Sequence, residues 1–197
     1  MRRRQLTPVL PLLASLAAGA AALALSGSAT SATADTCVQQ PVGEPLWIEY
    51  GDGAVPADIR TLFSRSGITV AASGTAIPRT YRQRGAGTVF FVLKLPQYVG
   101  QPSAPADPAT IEAAAQTLYD RAVASTECAT PIVALNELLG PAAPLPWTPE
   151  VTTYRANLLG LVRALTALGA RPALFVHGSP VFGGQAAAWW RAIGADA

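Results

Sequence analysis

The sequence predicts an α/β domain built on a parallel sheet of about five strands, and three observations carry that expectation. Short segments rich in apolar, β-branched and aromatic residues alternate with segments of helical periodicity. Several strand segments are almost continuously apolar, as strands are when both faces of their sheet are covered. Polar side chains gather where those apolar runs end.

Residues 46–50 read as the first strand, stopped by Gly51, Asp52 and Gly53. Residues 56–66 read as a helix with Ile59, Leu62 and Phe63 on one face and Gly67 closing it. The second strand is expected over 68–73. A short helix follows over 77–84, with Pro78 in its first turn and Gly85 at its end. Residues 88–95 form the third strand segment, rich in β-branched and aromatic side chains. A Pro-rich loop over 96–108 leads to Asp107 as a helix N-cap and a helix from Ala109 to about Ser125. The fourth strand is expected over 132–136. A second Pro-rich loop, 140–149, ends at Thr148, placed to cap a helix that runs to Leu168. Residues 173–177 read as the fifth strand and 185–193 as a last helix. Helical crossovers between strands imply a parallel sheet with helices outside, as a (β/α) barrel or as an open doubly wound sheet. No G-x-G-x-x-G or Walker loop follows a strand, so the commonest nucleotide-binding forms of the open sheet lack support.

The first 34 residues read as a signal peptide. Arg2, Arg3 and Arg4 precede an apolar run over 6–25, and Ala32-Thr33-Ala34 fits the small-x-small cleavage pattern. The expected mature chain is one domain over 35–197, secreted and free of the membrane. The whole sequence has 14 Lys+Arg, 12 Asp+Glu and a formal charge of +2. The leader holds three Arg and no acid, which leaves 11 basic and 12 acidic residues, a net charge of −1. That balance gives no electrostatic footprint for nucleic acid. Arg79, Arg82 and Arg84 read as a solvated helix face. Cys37 and Cys128, the two cysteines of an exported chain, are expected to form a disulfide. One His and no Cys-x-x-Cys leave little from which to build a metal site, and no cofactor is expected.

In either architecture the working face lies at the C-terminal ends of the strands. Glu49, Ser73, Lys94, Asn136, Glu137 and His177 all fall there, on five different strands. The run Pro131-Ile132-Val133-Ala134-Leu135-Asn136-Glu137 resembles the end of the fourth strand in clan A glycoside hydrolases, which are eightfold TIM-type (β/α) barrels. The resemblance implies Glu137 as general acid/base and Asn136 as a hydrogen-bonding partner of the sugar, with a carbohydrate or glycan as ligand. It covers five β/α units, so the expected fold is an incomplete TIM-type barrel, with the open doubly wound sheet as the alternative. The family's nucleophilic Glu ends a seventh strand, and no counterpart occurs in this sequence. Glycoside hydrolysis needs a second carboxylate. Glu49 is the candidate from a strand tip, with Asp52 a looser one. Lys94 and His177 are expected around the same mouth, and Trp147, like Trp47, offers a surface for stacking a sugar ring.

Two other functions compete. A non-catalytic carbohydrate-binding scaffold would keep the barrel face without the chemistry. The stretch Val176-His177-Gly178-Ser179-Pro180, with Gly183, Gly184 and Trp189 beyond, resembles the oxyanion-loop region of α/β-hydrolases. That family needs a G-x-S-x-G nucleophile elbow, and the sequence has none.

Overall fold

The computed structural model describes residues 45–49, 55–136, 145–176 and 182–197. They form an α/β structure in which the chain runs β1 (Leu46–Glu49), α1 (Ala57–Phe63), β2 (Thr69–Ala72), α2 (Ile77–Gln83) and β3 (Gly87–Val92). A one-turn helix α3 (Pro96–Val99) and a two-residue ladder of β4 (Gly100–Gln101) and β5 (Ala104–Pro105) follow. Then come α4 (Ile111–Thr126), β6 (Ile132–Leu135), α5 (Pro149–Ala167), β7 (Arg171–Leu174) and α6 (Gly184–Asp196).

The main sheet has five parallel strands in the order β1-β2-β3-β6-β7, so neighbours in space are neighbours in sequence. Register decides which side chains share a face. Trp47 pairs with Val70, Ala72 with Phe90, Phe90 with Val133, and Leu135 with Leu174. These residues meet the helices. Val70 and Ala72 pack with Ile77 and Tyr81 of α2. Phe90, Val92, Val133 and Leu135 pack with residues of α4, α5 and α6, among them Leu118, Leu158 and Ile193. The opposite face carries Ala71, Val89, Phe91 and Ala134, with Ile48 and Phe175 against them, and among the described residues no helical one enters that cluster. Crossovers of one hand between sequential parallel strands place their helices on one side of a sheet, and the clusters of the described residues are divided in that way.

Local chemistry sets the helix starts. The Asp107 carboxylate accepts a hydrogen bond from the Ala109 N–H at 3.0 Å. Thr148 Oγ1 accepts one from Val151 N–H at 3.3 Å. Both caps satisfy backbone donors that a first turn leaves unpaired. The first opens a 3-10 turn over Pro108–Thr110, so the α-helix itself begins at Ile111. Residues 96–108, expected as plain loop, hold α3 and the small ladder. Asn157 of α5 pins this segment by donating to the Ala106 carbonyl at 2.8 Å.

Three expectations are corrected. The arginines of α2 are not an idle solvated face. Arg79 donates to the Ala124 carbonyl at 2.6 Å and pairs with Glu127 at 2.9 Å, and Arg82 donates to the Thr126 and Glu127 carbonyls. Together they cap the C-terminal end of α4, where free carbonyls and the helix dipole favour cations. No residue of α1 is fully buried: Leu62 is 51% exposed and Ile59 and Phe63 are partly covered, with Phe63 stacked on Trp47 at 4.2 Å. The fifth sheet strand runs over Arg171–Leu174 and ends before Phe175, two residues earlier at its start and three at its end than the apolar run indicated.

Candidate functional site

The strand tips hold the residues singled out by the sequence, but the structure sorts them. Asn136 directly follows β6 and is buried, at 5% exposure. Strand alternation gives it the parity of Ala134, on the face free of helices. Ser73 follows β2 with the parity of Ala71 and is also buried. Glu137 and His177 lie outside the described residues, as do Asp52 and Cys37.

Glu49 is placed differently from the expectation. It pairs in register with Ala72, which puts it on the helix side beside α1 and α2. Its Oε1 accepts from Arg60 Nε at 3.0 Å and Nη2 at 2.5 Å, and its Oε2 accepts from the Tyr81 hydroxyl at 2.6 Å. The Glu49 side chain has no exposed surface, while Arg60 keeps 30% of its own. The hydrogen bond with Glu49 raises the Arg60 pKa above its ordinary value. Burial, then the bond to Glu49, pushes the Tyr81 phenol up to about 12. A carboxylate committed on both oxygens and closed to solvent holds an edge strand to two helices.

Lys94 is exposed, two residues past β3. It lines a cleft of about 310 Å³ with Ser73, Gln97, Tyr98, Leu118 and Arg121. Arg121 was not singled out by the sequence. Its signal was weak, since a lone arginine on an amphipathic helix is ordinary surface. In the fold it donates to the Tyr98 hydroxyl at 2.6 Å and lies over the Phe90 ring at 5.8 Å.

Trp147 is half-buried and does not stand open as a sugar platform. The Arg155 guanidinium lies 4.0 Å from the centre of its ring and 4.6 Å from that of Trp189. Arg155 is 3% exposed, and its burial lowers its pKa. Trp189 Nε1 donates to the Arg155 carbonyl at 2.9 Å, which locks α6 to α5. Cys128, before β6, is buried and is not a free thiol.

Among the described residues no group of His, Cys, Asp and Glu is placed to hold a metal ion. No helix among them is long and apolar enough to cross a membrane. Comparison with family models, with curated proteins and with solved structures finds no match for this chain.

Proposed function

We propose that the chain forms five β/α units of a TIM-type barrel whose strand tips act on carbohydrate, with Glu137 as the general acid/base of glycoside hydrolysis and Asn136 beside it. The observation that carries the reading is the position of Asn136 at the end of the fourth of five sequential parallel strands whose helices pack on a single face. An open doubly wound sheet reverses its strand order and takes helices on both faces. A barrel does neither, and its interior is filled by alternating side chains of the strands themselves, the pattern of Ala71, Val89, Phe91 and Ala134. Glu137 follows Asn136 in the chain and precedes Leu138 and Leu139. Apolar surroundings raise a carboxyl pKa toward the range a general acid needs. The reading includes cleavage behind Ala34 and an extracellular glycan as ligand.

The test is Glu137→Gln in the full-length gene product, assayed on a panel of aryl glycosides. The substitution keeps shape but removes the transferable proton, and turnover is expected to fall by roughly 10²–10⁴-fold. Unchanged turnover would remove Glu137 from the chemistry. The enclosure of Glu49 favours a second reading, a carbohydrate-binding scaffold without hydrolysis, because it removes the strand-tip candidate for the second carboxylate. Saturable binding of a polysaccharide with no turnover in the full-length product would select that reading.

A further inference from the structure

We propose that the cleft between the end of β3, α3 and α4 is a binding site for a small organic carboxylate, its charge held by Lys94 and Arg121 and its apolar body lying toward Leu93, Leu118 and Phe90. The cleft opens past the ends of β2 and β3, where Ser73, Phe91 and Leu93 line it together with Phe90, Leu118 and Arg121. Asn136 is not among the residues that line it, and the proposal does not depend on the chemistry proposed for Glu137. The volume of about 310 Å³ lies at the lower end of ligand pockets, ~300–1,000 Å³.

The charge is one-sided. Lys94 and Arg121 both line the cleft, and among the described residues no Asp or Glu lines it. Among the described residues neither cation is paired with a carboxylate. Arg121 is also held in place: its Nη1 is spent on the Tyr98 hydroxyl and its plane rests near Phe90. That leaves the remaining guanidinium donors in a fixed fork, the arrangement that matches a carboxylate in two parallel hydrogen bonds. The lining divides about evenly between polar and apolar surface, with Phe90, Leu93 and Leu118 on the apolar part, which suits an anion with a carbon body rather than a bare, strongly hydrated ion.

Ligand-observed NMR and calorimetry on the full chain test this with four probes: benzoate, benzamide, acetate and inorganic phosphate. Benzoate is expected to bind saturably. Benzamide, the same shape without charge, is expected to bind roughly ten- to a hundredfold more weakly, the range for losing a hydrogen bond to a charged group. Acetate, lacking the body, is expected to be weaker than benzoate. Arg121→Gln and Lys94→Gln are each expected to weaken benzoate by about tenfold or more. Both side chains are exposed, so an unchanged thermal unfolding curve controls for folding. Absence of saturable benzoate binding overturns the proposal. So does benzoate binding that neither variant alters, or phosphate binding as tightly as benzoate.

Discussion

Glu49 carries the clearest lesson at the scale of single residues, because a strand-tip acid turned out to be a buried anchor. Its partners Arg60 and Tyr81 are 11 and 32 residues away in sequence, so no local pattern announced them. Its parity with Trp47 on β1 was legible, and it would have put Glu49 on the same side as the helices. Arg60→Ala leaves a buried carboxylate with its charge uncompensated. Breaking a buried pair this way costs about 3–5 kcal/mol, and the partial exposure of Arg60 argues for the lower end. Urea unfolding of the variant measures it, and a loss below ~1 kcal/mol would mean that water replaces the guanidinium. Tyr81 adds a pH dependence. Its folded pKa of about 12 lies above the ordinary ~10 of a phenol. Between those values the folded state keeps a proton that the unfolded state releases, so stability must fall as pH rises. The contribution is complete below pH ~10 and is lost as pH approaches about 12. Denaturant midpoints measured from pH 9 to 11 should decline less steeply in Tyr81→Phe than in the parent, and parallel slopes would contradict the assignment.

Elements were legible where their signals are local. Asp107 and Thr148 were readable as caps because a side-chain oxygen and the amide it accepts are two or three residues apart. The five strands and their parallel pairing followed from apolar runs spaced by helical crossovers. The β4–β5 ladder was hidden, because it is two residues a side and its order comes from tertiary ties. Gly100 makes that ladder possible. Its φ is +78°, and a Cβ there would lie 2.2 Å from the Ala106 nitrogen and 2.6 Å from the Ala104 carbonyl oxygen. Both neighbours are backbone and cannot turn aside as a side chain would. Gly100→Ala therefore combines strain at positive φ with a clash, and a loss of roughly 3 kcal/mol or more is expected. Differential scanning calorimetry checks it, and an unchanged midpoint would mean the ladder re-forms around the methyl group. The capping of α4 by Arg79 and Arg82 was equally out of reach of sequence, since those arginines reach across 44 or 45 residues.

At the scale of the molecule, the helices of the described residues pack on one face of the five-stranded sheet, and residues of its other face form a cluster of their own. The alternation of strands and helices was enough for the class; only register could assign each strand residue to the helical face or to the opposite one. Cys128 lies just ahead of β6, at the N-terminal end of the sheet, the end opposite the strand tips. We propose Cys37 as its disulfide partner. A bridge between them closes a loop long enough to stabilise the fold by about 4–5 kcal/mol in the chain-entropy model. Non-reducing peptide mapping should recover the two cysteines in one linked pair, and reduction should lower the unfolding midpoint. Two alkylatable thiols in the native protein would refute the pairing.

The stack of Trp147, Arg155 and Trp189 gives the protein a built-in optical gauge. Trp147 stands three residues after the stretch 137–144, and Trp189 eight residues after the stretch 177–181. These two chain segments contain Glu137 and His177. Indole emission responds to the polarity around the ring and to a charge against its face, and here one guanidinium touches both indoles. Any change in how α6 seats on α5 alters that sandwich and changes the brightness or colour of the emitted light. Release of α6 from α5 can thus be followed by intrinsic fluorescence, with no label and in the unmodified protein.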